Sequence, residues 1–145
     1  MDEEFSIKPI IWSSPLMEKA LDLRREVFIV EQNVPEELEI DEDDRTAFHL
    51  LMLKDDEAVA TLRLVPHGES IKIGRVAVRR TYRKKGLGTG LMKMAIEHAA
   101  RGEFREAILY AQLESMPFYA RFGFAEEGEV FMDAGIPHKR MKLAL

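Results

Sequence analysis

The stretch RRTYRKKGLGTG, from Arg79 to Gly90, concentrates positive charge in an acidic chain: five of its first seven residues are cationic, against a net charge of −5. Arg83, Lys84 and Lys85 lead into Gly86, Leu87, Gly88, Thr89 and Gly90, and Leu87, Leu91, Met94, Ala95 and His98 then repeat at helical spacing. The start of a helix exposes unpaired N–H groups at the positive end of its dipole, and glycines let an anion approach that backbone closely. The stretch therefore reads as a phosphate-binding turn. Spacing excludes two common forms of it. A P-loop needs Gly-Lys-Ser/Thr after four intervening residues, which is absent. A dinucleotide fingerprint follows its strand directly, whereas here seven residues separate Val78 from Gly86, and the third glycine, Gly90, comes one residue early.

Other chemistries are narrowed by what is missing. Without cysteine there is no disulfide, zinc–thiolate site or thiol nucleophile. Gly-x-Ser-x-Gly and His-Glu-x-x-His are absent, and DEDDRT lacks the central glycine of a calcium loop, so no metal is expected. Among the histidines, His138 is the candidate base, since an imidazole can accept a proton near neutrality. Its parity with Arg140 and Lys142, rather than with Met141 and Leu143, equally fits an ordinary exposed histidine. His49, among the apolar residues of FHLLML, reads as a satisfied core histidine, while His67 in a turn and His98 on a helix have no catalytic context.

Two arginines stand on apolar faces. Arg24 lies three or four residues from Ala20, Leu21, Val27 and Phe28 in a helical stripe, and Arg75 shares strand parity with Ile71, Ile73 and Ala77. A buried guanidinium must be paired. The partners are either carboxylates of the chain itself, such as those of the acidic segment Glu31 to Asp44, or a carboxylate or phosphate of a bound acceptor. That segment, with eight acidic residues in fourteen, reads as solvated surface, with attraction of a cationic amine as the alternative.

The elements that must position these groups follow from periodicity. A weakly alternating strand from Phe5 to Ile11 precedes a helix whose N-cap is Ser14 and whose first-turn proline is Pro15. TAFHLLML, AVATLRLV and SIKIGRVAV are three strands with turn signals between them, an antiparallel meander. A helix from about Gly86 to Arg101 ends at Gly102; EAILYAQ is a strand, SMPFYARF a short helix closed by Gly123, and AEEGEVFM and PHKRMKLAL complete the sheet. The 145 residues suit one globular domain, 46% hydrophobic and 32% charged, with no internal repeat. Its acidity argues against nucleic acid as a partner. An acidic N-terminus and the lack of any apolar run approaching about 18 residues give the expectation of a cytoplasmic protein without a membrane partner.

Arg83, Gly86 and Gly88 match Arg/Gln-x-x-Gly-x-Gly/Ala, which resembles the acetyl-CoA-binding motif of the GCN5-related N-acetyltransferases (GNAT). Downstream, Tyr119, Gly123 and Phe124 in FYARFGF match that family's Tyr-x-x-x-Gly-Phe signature. LRREVFIVEQNVPEELEIDEDD, FHLLML, IGRVAV and GIPHKRM look like its ElaA-like branch, with a weaker likeness to glyphosate N-acetyltransferase. The resemblance implies one GNAT domain over residues 1–145, of α/β (α+β) class: a twisted, mixed but mostly antiparallel sheet of about seven strands flanked by helices.

By the same resemblance, the backbone of Arg83, Lys84, Lys85, Gly86, Leu87, Gly88 and Thr89 holds the donor's pyrophosphate. The pantetheine arm runs beside Val76, Ala77 and Val78 as an added strand, where that strand splays from AILYAQ, and Ser115 joins the cofactor-binding set. Tyr119 is the implied acid, a phenol whose usual value of about 10 suits a departing thiolate. His138 stands where glyphosate-acetylating relatives place a catalytic histidine. Arg24 and Arg75 are the implied acceptor-binding residues, with Gln112 where those relatives present a further arginine. The implied activity is transfer of acetyl from acetyl-CoA to a primary amine of a small molecule, by direct attack in a ternary complex. A peptide or protein amine as acceptor, and an acyl-CoA-binding sensor without turnover, are the alternatives; a homodimer is left open.

Overall fold

The computed structural model describes residues 4–145. After β1 (Phe5–Ile10), Ser14 Oγ accepts the Leu16 N–H at 3.1 Å and starts the chain into α1 (Met17–Arg24). The helix does not stop at Arg24 but widens into a π-helical segment, Arg25–Glu31. Two single turns follow in the acidic segment, α2 (Glu36–Glu39) and α3 (Asp43–Thr46).

β2 (Phe48–Lys54), β3 (Glu57–His67) and β4 (Ser70–Val78) form the expected meander. Asp55 and Asp56, both at positive φ (49° and 68°), make the tight turn that suits two twisted strands. A 3₁₀ turn at Arg80–Tyr82 and the glycine-rich loop lead into α4 (Leu87–Arg101), which crosses over the sheet so that β5 (Glu106–Gln112) lies parallel to β4. After α5 (Met116–Ala120), β6 (Ala125–Asp133) and β7 (Ile136–Ala144) form a hairpin. The seven strands run in the order β1-β2-β3-β4-β5-β7-β6. No helix among the described residues is long and apolar enough to cross a membrane.

Both sheet faces are covered. Leu91, Met92, Ala95 and Ala99 of α4 pack with Leu62, Leu64, Ile71, Ile73 and Leu109, while Ala20, Leu21, Leu23 and Val27 pack with Leu51, Leu53 and Ala77 on the other side. Ile73 and Ala77 thus face opposite layers, although strict alternation gives them one face. The cause is a β-bulge: the β3–β4 register shifts by one between Thr61↔Ala77 and Arg63↔Gly74, and Arg75 sits at φ 51°. The bulge corrects the parity assigned to Arg75. It also bends β4 away from β5, with which it pairs only at Ser70↔Glu106, Ile71↔Ala107 and Lys72↔Ile108.

Candidate active site

Beyond Lys72 the two central strands part, leaving one side of β4 from Gly74 to Val78 without a strand partner. At one end of this opening lies the glycine-rich turn that starts α4. Gly86 caps α4 at φ 79°, a conformation that costs an L-residue about 1–2 kcal/mol, and Lys84 is also left-handed at φ 63°. The first bond of the helix runs from the Gly90 N–H to the Gly86 carbonyl at 3.2 Å, so earlier N–H groups have no intrahelical acceptor. Gly88 faces Phe118 and Val78, where a Cβ would make ordinary contacts at 3.4 and 3.8 Å. Lys84 and Lys85 are exposed, but the Arg83 guanidinium is occupied. Its Nε donates to the Val78 carbonyl at 2.9 Å, and Nη1 and Nη2 donate to the two oxygens of Glu31 at 2.9 and 2.8 Å.

At the other end is a cleft of about 190 Å³ that brings together Arg75, Val76, Gln112, Ser115, Tyr119 and His138. Ala77 and Val78 are not in its wall; Ala77 is buried against α1, and Val78 packs toward α4. Tyr119 stands on α5 with its ring edge-on to Phe118 at 5.1 Å and to Phe124 at 6.4 Å. Among the described residues its hydroxyl makes no hydrogen bond, and burial pushes the phenol up to about 12. His138 is 9% exposed, so the exposed-histidine reading fails. Phe131 of β6 covers it in a stacked contact at 6.0 Å, and its Nδ1 donates to the Ile136 carbonyl at 2.7 Å. A carbonyl only accepts, so this bond puts the proton of a neutral ring on Nδ1 and leaves the Nε2 lone pair available. Gln112 is the cross-strand neighbour of His138, and its Nε2 donates to Gln32 Oε1 at 3.0 Å.

The acidic segment is solvated surface only in part: Glu36, Glu37, Glu42 and Asp43 are exposed as expected, but Glu39 and Asp44 turn inward and are buried, and with Asp41 they neutralise three arginines. Arg24, 1% exposed, binds Glu39 at 2.6 Å and Asp44 at 2.7 Å; Arg63 binds Asp41 at 2.6 Å and Asp44 at 2.9 Å. Arg75 reaches Glu39 and Asp41, each at 3.2 Å, and the carbonyls of Glu39 at 3.0 Å and Leu38 at 3.1 Å. Internal pairing, one of the two roles expected for Arg24 and Arg75, is therefore the one they have here, and acceptor recognition by Arg24 is corrected: its guanidinium is enclosed and saturated. Arg75 reaches the cleft wall with those bonds made. Burial pushes the Asp44 carboxyl up, but the hydrogen bond and charge of Arg24, the Asp41 N–H and the charge of Arg63 together outweigh it and hold the group at about 2. His49 Nε2 donates to the Asp44 carbonyl at 2.9 Å, which makes it the satisfied core histidine expected.

Two participants escaped the sequence reading. Arg63 had a signal, as the only cation inside AVATLRLV. Gln32 had none, because nothing in its surroundings along the chain points to Gln112, eighty residues away.

The sequence matches the acetyltransferase (GNAT) domain family over residues 12–145. It is 36% identical over 126 residues to the uncharacterized N-acetyltransferase YjcF of Bacillus subtilis (strain 168), covering 86% of this chain and 90% of that one. Protein ElaA of Escherichia coli (strain K12) is 38% identical over 124 residues, 81% of this chain and 80% of its own; its crystal structure superposes with a TM-score of 0.87 over 94% of this chain and 98% of that one. A crystal structure of an acyl-CoA N-acyltransferase from Pseudomonas aeruginosa, 32% identical, has a TM-score of 0.88 and covers 96% of this chain and 99% of its own. With a glycine-opened helix, a bulged β4 parted from β5 and likeness along nearly the entire chain in agreement, the protein belongs to the GNAT acetyltransferase superfamily, in its ElaA-like branch.

Proposed function

We propose that the protein transfers acetyl from acetyl-CoA to a primary amine of a small molecule, by direct attack in a ternary complex. The observation that carries this reading is the opening between β4 and β5, which has a helix N-terminus at one end and the cleft lined by Tyr119 and His138 at the other. The free N–H groups at the start of α4, with Lys84 and Lys85 beside them, suit a diphosphate. The unpaired side of β4 around Val76 suits an extended arm with amide groups, which docks as a strand would.

The amine lone pair attacks the thioester carbon, forming a C–N bond and moving the carbonyl electrons onto oxygen; collapse breaks the C–S bond and expels the thiolate. His138 Nε2 takes the proton the amine must lose. Tyr119, kept protonated by burial, gives its proton to the sulfur. Burial raises the proton affinity of a thiolate formed in the same cleft too, so the phenol and thiol remain matched.

Thiol release from acetyl-CoA, measured across a panel of small primary amines, tests the reading. Amine-dependent release that drops in His138→Ala supports it. Tight CoA binding by calorimetry with no release from any amine would instead make the protein a binding module.

A further inference from the structure

One helical segment grips both ends of the basic loop. Glu26 accepts from Arg79 Nη1 through both oxygens, at 2.9 and 3.0 Å, and Glu31 takes the two Nη groups of Arg83. On an α-helix, residues five apart diverge by about 140°, since each step turns 100°. The i→i+5 closure of a π-helix brings such residues back toward one side. The π register of Arg25–Glu31 is thus what lets Glu26 and Glu31 point at the loop together. Gln32, the next residue, reaches the other way, to Gln112 beside His138. The turn that carries Glu31 and Gln32 is closed by bonds from the Asn33 N–H to the Ile29 carbonyl at 3.2 Å and from the Val34 N–H to the Phe28 carbonyl at 2.8 Å. Phe28, Gln32 and Val34 all line the cleft.

We infer that Glu31 and Gln32 couple the two halves of the site: Glu31 holds the phosphate turn through Arg83, Gln32 holds the acceptor wall through Gln112, and the stiff turn between them carries occupancy of the first to the second. Both are positioning residues. A diphosphate bound at residues 83–89 immobilises the Arg83 backbone, the bidentate pair passes that restraint to Glu31, and Gln32 and Gln112 are stiffened in consequence, before any acceptor arrives. This rests on the donor-site reading above and adds the two residues that tie the phosphate turn to the acceptor wall.

Hydrogen exchange of the full chain, with and without CoA, tests it without knowledge of the acceptor. In the wild type CoA should slow exchange at residues 83–90 and also at 26–34 and 110–112. In Glu31→Gln the slowing at 83–90 should persist, while that at 26–34 and 110–112 should shrink by about fivefold or more. Gln32→Ala should keep the response at 26–31 and lose it at 110–112. The coupling is overturned if CoA protects 83–90 alone in the wild type, or if both variants respond as the wild type does. Should Glu31→Gln fail to fold, Gln32→Ala decides: a retained response at 110–112 overturns the coupling, and a lost one supports it. Absence of protection at 83–90 in the wild type removes the donor-site reading and the coupling with it.

Discussion

Tyr119 and His138 share a cleft but are held differently, and the difference assigns their parts. Tyr119 is packed by aromatic edges with no hydrogen bond to its hydroxyl among the described residues, so burial alone acts on it and keeps the phenol protonated. His138 is tethered through Nδ1, which fixes its tautomer. Tyr119→Phe removes one oxygen from a site whose apolar contacts stay. Turnover should fall on the order of a hundredfold with acetyl-CoA affinity nearly unchanged. Steady-state kinetics and CoA titration together check this, and unchanged turnover where chemistry limits the rate would leave Tyr119 as a packing residue only.

In the proposed function the donor's diphosphate sits at the start of α4, where Gly86 and Gly88 differ in what they contribute. At Gly88 an added Cβ would sit at ordinary contact distance from Phe118 and Val78, whereas Gly86 supplies a left-handed turn in open space, where an added Cβ would meet nothing within 4 Å. A substitution at Gly86 therefore acts through backbone conformation, not through collision. Gly86→Val should cost about 1–2 kcal/mol of stability if the turn is kept, and relaxation of the turn would re-aim the N–H groups. CoA affinity measured by calorimetry should drop about tenfold or more, because N–H groups pointing at an anion lose most of their value when misdirected. Normal affinity in this variant would put the diphosphate elsewhere.

Across the whole molecule, three arginines and three carboxylates tie α1, the acidic segment and strands β3 and β4 into one block behind the cleft. Arg24→Met should destabilise by about 3–5 kcal/mol at neutral pH, because Glu39 and Asp44 lose the buried guanidinium they share and keep only Arg75 and Arg63 respectively. Asp44 titrates at about 2 in the fold, against about 3.9 for an unperturbed aspartate. A depressed carboxylate stabilises fully above its unfolded value, and the contribution fades as pH falls from about 4 toward 2. Urea midpoints of the wild type should decline steeply through that window. Those of Arg24→Met should converge on them, since Asp44, left with Arg63 as its counter-charge, takes up its proton at higher pH than in the wild type. A gap that stays constant with pH would mean the network contributes by packing and not by charge.

Strand and helix identities, the meander, the turn chemistry and the phosphate turn were all legible along the chain, because each depends on neighbours within a few residues: alternation in FHLLML, Gly86 before a helical stripe, Gly123 after FYARF. The motif spacing also sufficed to suggest the family. Tertiary structure alone decided the roles of charged groups. Whether Arg24 and Arg75 meet ligand or protein depended on where residues 36–44 fold back, and neither periodicity nor composition encodes that distance. The bulge at Arg75 reversed the face of every later residue of β4, which a period-two reading cannot anticipate, since one extra residue changes parity without any mark in the side-chain pattern. Strand parity left His138 equally a candidate base or an ordinary exposed histidine for a similar reason: the cover over it, Phe131, comes from the neighbouring strand. Burial and pairing are set by contacts between segments far apart in sequence, and local order along a chain carries no record of them.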